Sequence, residues 1–282
     1  MQPSPIPAPK VILEGPTGTG KTHSILTAVE AGLETAVLFT EPHGRSILNH
    51  IPCPKLHWMF IPPFAPGWDE MIKRADTMTK MSWGVLSKMT EDPSKSTYNS
   101  FWRAINAVAR FKCDRCGTVL GDVTTWGTNR AFFLDSYSGI NRMAMQMVTG
   151  ESIAKTQPQW GAAMAAELAL ADKLATDTRC LFVLICHVER IVDEVVGGTY
   201  LLPLALGKKN APELPKNFSD VILTKRLGDR FSWSTADTAA ELKAMHVPIS
   251  DKLEPSFVNL MNSWKAKGGI IEIPDTTAST NT

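Results

Sequence analysis

The 282-residue sequence has no long hydrophobic run and almost no net charge. Its longest apolar stretches, such as Leu181–Cys186, are far too short to cross a bilayer, and residues 1–9 are proline-rich without the apolar centre of a signal peptide. The 29 Lys and Arg residues against 28 Asp and Glu leave a net charge of +1, so any anionic partner must bind a local patch. We therefore expect a cytoplasmic protein that has no membrane partner.

Cysteine is scarce, with five residues in the chain. The number is odd, and Cys180 and Cys186 flank an apolar segment in which small buried side chains are common. This usage does not favour a disulfide framework. No internal repeat divides the chain, and the length favours one large domain.

Short apolar segments alternate with helical segments along most of the chain. Lys10–Glu14 is predicted as a strand, and Lys21–Ala31 as a helix that stops at Gly32. Further helices are predicted at Trp68–Met81 and Gly161–Ala175. The other predicted strands are Thr35–Phe39, Leu56–Ile61, Ala131–Leu134, Leu181–Ile185, Asp220–Thr224 and Arg230–Ser234. This alternation predicts an α/β fold with a mostly parallel central sheet flanked by helices.

The predicted organisation is a flexible tail (1–9), a core (10–235), a C-terminal extension (236–271) and a disordered tail (272–282). An insertion at about residues 90–128 interrupts the core and contains Asp92-Pro93-Ser94, a helix at Tyr98–Phe111 and a pair of cysteines. A helix at Leu253–Ala266 with Trp264 either packs on the core or binds a neighbouring subunit or DNA.

A glycine-rich loop joins the first predicted strand to the first helix: Gly15, Pro16, Thr17, Gly18, Thr19, Gly20, Lys21 and Thr22. Glycines at this spacing let successive backbone amides point toward a phosphate, at the positive end of the following helix. Lys21 would contact the β and γ phosphates, and Thr22 would give a hydroxyl to magnesium. The loop predicts a site for ATP and Mg²⁺.

Three polar residues follow other predicted strands. Asp135 ends the segment Ala131–Leu134 and is predicted to hold the magnesium water shell, although a carboxylate there is also typical of a turn. Glu41 is the candidate base for the attacking water, against a simple solvated glutamate. His187 is the candidate sensor of the γ phosphate, against a structural histidine. Lys21, Glu41 and His187 together form the predicted catalytic set.

These motifs resemble those of RecA-like core P-loop ATPases, particularly the short phage-encoded Sak-type recombinases and AAA-type ATP-binding proteins. The resemblance covers about Lys10–Thr235 and includes Leu134-Asp135-Ser136 and Phe39-Thr40-Glu41-Pro42-His43. It implies a RecA-like fold, ATP hydrolysis in DNA recombination or replication, single-stranded DNA as a partner, and a homo-oligomer in the host cytoplasm. Segments Thr149–Trp160 and Glu189–Asn210 correspond to DNA-binding loops in that family.

The resemblance also implies a basic finger that a neighbouring subunit directs at the γ phosphate. The candidates are Lys208, Lys209, Arg226 and Arg230. For DNA, the two loops offer Lys155, Arg190, Lys208 and Lys209, with Trp160 and Tyr200 for stacking. Two other functions stay open: a nucleotide-dependent adaptor or motor component that acts on a protein, and a small-molecule kinase, which the lack of an arginine-rich lid disfavours.

The insertion contains Cys113-Asp114-Arg115-Cys116-Gly117, which is half of a zinc ribbon. A tetrahedral site would need two further ligands, from Cys53 with His57 or His50, or from another subunit. The alternative is a plain reduced pair of thiols.

Overall fold

The computed structural model describes residues 6–86, 88, 97–150, 155–192 and 198–272, except for the side chain of Lys208. Predictions for Asp92-Pro93-Ser94, for the C-terminal tail after Glu272, and for parts of both DNA loops (151–154 and 193–197) lie outside the described residues. Among the described residues, no helix has the length and apolar character needed to span a membrane.

Seven of the twelve strands in the described residues match the predicted segments closely, and the other five, of two to five residues each, were not predicted. They are β1 Lys10–Glu14, β2 Glu34–Phe39, β3 Leu56–Phe60, β4 Phe111–Lys112, β5 Val119–Gly121, β6 Arg130–Asp135, β7 Leu181–Cys186, β8 Val188–Val192, β9 Thr199–Pro203, β10 Asp220–Leu227, β11 Arg230–Ser234 and β12 Lys243–Ala244. The main sheet has the order β11-β10-β1-β7-β6-β2-β3, with β12 also paired to β10. Strands β10, β1, β7, β6, β2 and β3 are parallel, whereas β11 and β12 are antiparallel to β10.

Helices connect the strands and cover both faces of this sheet. They are α1 Ile25–Glu30, α2 Gly44–Leu48, α3 Trp68–Thr79, α4 Trp83–Leu86, α5 Ser100–Ala109, α6 Tyr137–Thr149, α7 Gln157–Asp177, α8 Gly207–Glu213 and α9 Phe257–Ala266. Helices α5, α6 and α7 contribute to one core, and α1 and α9 contribute to the other. The predicted α/β fold with a mostly parallel, helix-flanked sheet is confirmed.

Neighbouring residues of a central strand enter opposite cores. Phe132 stacks on Phe182 with ring centroids 5.9 Å apart, whereas Phe133 packs against Phe257 on the other face at 5.3 Å. Because both faces are buried, the strands carry unbroken apolar runs instead of alternating polar residues. The parallel arrangement brings the C-terminal ends of β1, β2, β6 and β7 to one edge of the sheet.

The helix after the glycine loop begins later than predicted, at Ile25 instead of Lys21. The preceding residues form turns, in which the Ile25 amide donates to Thr22 O at 3.2 Å and the Ser24 hydroxyl donates to Lys21 O at 2.6 Å. These tighter local bonds compete with the regular helical pattern. The helix ends as predicted, before Gly32 at φ +83°.

Both flanks of the core pack against it. Trp264 of α9 is fully buried and its Nε1 donates to Pro7 O at 2.9 Å, so this helix packs on the core, which was one of the three options left open by the sequence. Ala8 is also buried, and its amide donates to Arg179 O at 3.1 Å. Pro7 and Ala8, which the predicted organisation placed in the flexible tail, therefore contact α9 and the chain just before β7.

Candidate nucleotide-binding site

The glycine loop lies between β1 and α1, at the C-terminal edge of the sheet. Two of its glycines are required by close contacts. A Cβ on Gly15 would lie 2.1 Å from Thr224 Oγ1, and a Cβ on Gly20, which has φ +86°, would lie 3.1 Å from the Phe231 ring. Thr19 Oγ1 is 2.6 Å from Thr224 Oγ1, so β10 supports the loop from behind. The backbone of the loop therefore forms a cradle that β10 holds in place.

Lys21 lies within this cradle and is almost fully buried. Its Nζ donates to Gly15 O at 2.6 Å and to Pro16 O at 2.7 Å. Burial lowers the pKa of the Lys21 ammonium, and the nearby carboxylates of Asp135 and Glu41 oppose that shift. The ammonium lies inside the loop, where it can meet an anionic phosphate.

Thr22 and Asp135 meet at the mouth of the loop. Thr22 Oγ1 donates to Asp135 Oδ2 at 2.7 Å. Burial raises the pKa of Asp135 to about 6, and the hydrogen bond from Thr22 limits that rise. A buried carboxylate beside a hydroxyl is a donor set that suits Mg²⁺, whose charge would compensate the buried anion. The two predicted magnesium residues are thus adjacent.

Glu41 and His187 follow β2 and β7, the two strands on either side of β6, and their side chains contact each other. His187 Nε2 is 3.3 Å from Glu41 Oε1, and the Ser136 hydroxyl donates to the same oxygen at 2.5 Å. The hydrogen bond from His187 is the largest of the effects that hold the pKa of Glu41 below its usual value, although burial opposes it. Glu41 is therefore a carboxylate that two neighbours orient, and not a freely solvated side chain.

One cleft of about 690 Å³ contains all five of these polar groups, Lys21, Thr22, Glu41, Asp135 and His187. Phe231 and Pro255 also line it and offer apolar surface of the kind that contacts a nucleotide base. Phe231 is 45% exposed. This cleft has the dimensions and the chemistry of a nucleotide pocket.

Sequence reasoning missed three residues near the cleft: Glu14, Ser136 as a partner of Glu41, and Thr224. Glu14 is fully buried, and its carboxylate oxygens have no hydrogen-bond partner in the described part of the chain. Burial raises its pKa to about 8, so it is largely protonated at neutral pH. A glutamate at the end of an apolar strand gives a weak signal, and only its tertiary burial reveals it.

The two predicted DNA loops meet at a second groove of about 350 Å³. Its lining includes Arg142, Lys155 and Trp160, together with Leu206 from the second loop. Lys155 Nζ lies 5.7 Å from the centre of the Trp160 ring. The groove therefore combines two exposed cations with a partly exposed aromatic ring.

The other residues predicted for DNA or for the basic finger are dispersed. Arg190 and Tyr200 are exposed on the β8–β9 hairpin, which extends directly from His187. Lys209 is exposed on α8, and Arg226 and Arg230 are exposed on the β10–β11 hairpin. The side chain of Lys208 lies outside the described residues.

Cys113 and Cys116 lie beside two of the residues predicted as their partners. One potential ligand atom from each of Cys53, His57, Cys113 and Cys116 lies within 4.8 Å of all the others. His50, the other predicted partner, does not belong to this group and is exposed. The four-residue cluster, named here the CHCC cluster, is at the opposite end of β3 from the nucleotide cleft.

No protein-family model matches the chain, and no curated protein matches its sequence. Among solved structures, a crystal structure of the RadB recombinase is similar over 82% of this chain and 81% of that chain, with 11% sequence identity and a TM-score of 0.37. A likeness of this size does not assign the chain to a family.

Proposed function

We propose that this chain is a magnesium-dependent ATPase of the RecA-like type, which acts in phage-type DNA recombination or replication and is stimulated by single-stranded DNA. The observation that carries the proposal is the convergence of four strand ends on one cleft. Lys21 and Thr22 follow β1, Glu41 follows β2, Asp135 ends β6 and His187 follows β7. Each has the side-chain chemistry that one part of ATP hydrolysis requires.

The roles follow from these positions. The loop amides and Lys21 would bind the β and γ phosphates, and Thr22 with Asp135 would hold Mg²⁺, which neutralises charge on the phosphates when bound. Glu41 is ionised and held by Ser136 and His187, so it can accept a proton from the attacking water. No arginine lines the cleft in the described chain, whereas a small-molecule kinase needs cations over the transferred phosphate.

A short chain of contacts connects this cleft to the β8–β9 hairpin. His187 O accepts a hydrogen bond from the Leu204 amide at 2.8 Å, at the base of the hairpin. Asn141 of α6, the helix that begins after Ser136, donates through Nδ2 to Leu204 O at 2.8 Å. A shift of His187 or of α6 on nucleotide binding would therefore move the hairpin. This supports coupling between the nucleotide state and a nucleic acid bound at the hairpin and the adjacent groove.

A RecA-like mechanism also requires a homo-oligomer, because a neighbouring subunit supplies the basic finger to the γ phosphate. Arg226, Arg230 and Lys209 have the exposure that such a contact needs. A mixing experiment would identify the finger. Lys21→Ala chains and finger-variant chains should each be inactive alone. When they are combined, turnover should return at interfaces where the intact loop of a finger-variant chain meets the intact finger of a Lys21→Ala chain. Three unaffected single variants would exclude these candidates.

The direct test is ATP turnover with and without single-stranded DNA at low salt, because phosphate contacts weaken with salt. The proposal predicts magnesium-dependent turnover that rises with single-stranded DNA and disappears in Lys21→Ala. Turnover that DNA does not change, together with no DNA binding at low salt, would favour an adaptor or motor component that acts on a protein. Transfer of phosphate to a small molecule without net hydrolysis would favour a kinase.

A further inference from the structure

The CHCC cluster brings together two short segments that are far apart in the sequence. Cys116 Sγ and His57 Nδ1 are 3.5 Å apart, and Cys53 and Cys113 contribute thiols within 4.8 Å of both. In a tetrahedral zinc centre with usual bond lengths, a sulfur and a nitrogen ligand are about 3.6 Å apart. We propose that Cys53, His57, Cys113 and Cys116 bind one Zn²⁺ as a closed structural centre that fastens the insertion to the edge of the main sheet.

The Cys113–Cys116 turn has the local geometry of a zinc knuckle. It closes the β4–β5 hairpin, in which the Gly117 amide donates to Cys113 O and the Cys113 amide donates to Thr118 O, both at 2.9 Å. Gly117 has φ +73°, a conformation that favours glycine. This tight turn places the Cys113 and Cys116 thiols close to each other.

The imidazole of His57 is already oriented for metal binding. Its Nδ1 faces Cys116, while its Nε2 lies 3.5 Å from Glu34 Oε1 on the neighbouring strand β2. Glu34 is in turn held by Arg130, whose Nε donates to Glu34 Oε2 at 2.6 Å. Glu34 is thus placed to accept the second N–H of a zinc-bound His57, as the outer carboxylate at zinc sites usually does, which would fix the tautomer and the ring orientation.

The residues between the two thiols dock on β3, the outermost strand of the main sheet. Asp114 accepts from the Phe60 amide at 2.8 Å and donates its own amide to Trp58 O at 2.8 Å. Arg115 donates to Ile51 O at 2.7 Å and lies over the Trp58 ring. The knuckle thus covers the edge of the main sheet, whose backbone groups would otherwise be free to pair with another chain.

The types and the number of the four ligands indicate which metal binds and what role it has. Three thiols and one imidazole suit Zn²⁺ in a tetrahedral structural site, and four protein ligands leave no position for a substrate. Binding would displace the thiol protons to solvent, since the ligands are thiolates and neutral imidazole. Cys116 is exposed and provides the entry path for the ion. The centre is independent of the proposed ATPase chemistry.

The test is elemental analysis of the full-length protein, produced in zinc-supplemented medium and purified without chelators. We expect about one zinc per chain in the parent and in His50→Ala, a control that alters a nearby exposed histidine outside the cluster. Cys116→Ser should lose at least about nine-tenths of the zinc, because it removes one of four ligands, and its exposed position keeps the substitution out of the hydrophobic core. Glu34→Gln should keep its ligands but bind zinc about 10- to 100-fold more weakly, whereas Glu30→Gln on the exposed face of α1 should not.

Cobalt provides a second readout that does not depend on metal kept through purification. The chelator-treated parent should take up about one Co²⁺ with the intense visible bands of tetrahedral thiolate coordination, and Cys116→Ser should not. A parent that binds neither zinc nor cobalt, that contains iron, or that forms a Cys113–Cys116 disulfide overturns the proposal. So does a Cys116→Ser variant with the zinc content of the parent. Because the cluster is at the other end of β3 from the cleft, ATP binding measured on the same samples reports separately on the proposed function.

Discussion

The hydroxyl of Thr22 donates a 2.7 Å hydrogen bond to Asp135 Oδ2, which joins the glycine loop to the end of β6. The two residues are 113 positions apart in the chain, and the parallel sheet brings them together because β1 and β6 end at the same edge. A neutral hydroxyl and a carboxylate at this spacing are the protein ligands that a hydrated magnesium ion needs. Substitution of either residue therefore tests the proposed magnesium site.

Replacement of Asp135 by Asn should lower magnesium-dependent ATP turnover by about 100-fold, equivalent to about 3 kcal/mol at the transition state. The amide keeps the size of the side chain but loses the charge that binds the cation. Turnover measured across a magnesium titration checks this, with Asp76→Asn on the exposed face of α3 as the control. Parent-like turnover and magnesium dependence in Asp135→Asn would remove this residue from the metal site.

Glu14 predicts a dependence of stability on pH. Its folded-state pKa is raised to about 8 from 4.5 by burial. Between these values the folded protein binds more protons than the unfolded chain, so the stability contribution is fully present below about 4.5 and is lost as the pH rises toward about 8. Glu14→Gln cannot ionise and should not show this loss.

The variant should lie close to the parent near pH 5 and exceed its unfolding free energy near pH 8 by on the order of 4 kcal/mol. Urea unfolding across this pH range is the measurement, and the exposed Glu30→Gln is the control. Parallel pH profiles for Glu14→Gln and the parent would contradict the burial argument.

Asp220 ties β10 to the C-terminal extension. It accepts hydrogen bonds from the His246 ring at 2.7 Å and from the amides of Met245 and His246 at 2.8 and 2.7 Å. Burial acts to raise the pKa of Asp220, but the hydrogen bonds from His246 outweigh it and hold the pKa below its usual value. Its stability contribution is therefore present above about pH 3.8 and is lost as the pH falls through the folded-state pKa.

Asp220→Asn should lower the unfolding free energy at neutral pH by about 2–3 kcal/mol, because charged hydrogen bonds in the interior are replaced by weaker ones. The shift in the denaturant midpoint measures this, and Asp177→Asn at the exposed end of α7 serves as the comparison. An unchanged midpoint would mean that the pair does not anchor the extension.

The groove between the two candidate loops makes a prediction about DNA. Trp160→Ala should weaken binding of single-stranded DNA by about tenfold, because the stacking of one base contributes about 1–3 kcal/mol. Lys155→Ala should reduce the slope of log affinity against log salt by about 0.7. Lys173→Ala, an exposed lysine on the same helix as Trp160, should change neither. Equal affinities for all three variants and the parent would exclude this groove as the DNA site.

Much of the fold followed from local pattern, because strands buried on both faces require unbroken apolar runs such as Leu181–Cys186. The glycine loop was equally visible, since phosphate approach needs glycine at fixed spacing. The contact of Glu41 with Ser136 was not predictable, because no local pattern sets the distance between the ends of two strands. The same holds for Glu14, whose burial depends on how the loop packs against β10.

The CHCC cluster could be predicted from the sequence only in part. The spacing of Cys113 and Cys116 predicted a half site, and the pairing of Cys53 with His57 was one of the stated options. What decided between His57 and His50 was the register of β3, which turns His57 inward while His50 stays in the exposed connection before it.

The role of the cleft in ATP hydrolysis is best measured with Glu41→Gln, by comparing its ATP turnover with its magnesium-dependent binding of ATP. Glutamine keeps the size of the side chain but cannot accept a proton from water. We expect an affinity for ATP close to that of the parent and a turnover reduced by about 100- to 10,000-fold. Parent-like turnover in Glu41→Gln, or a parent that binds no ATP in the presence of magnesium, would contradict it.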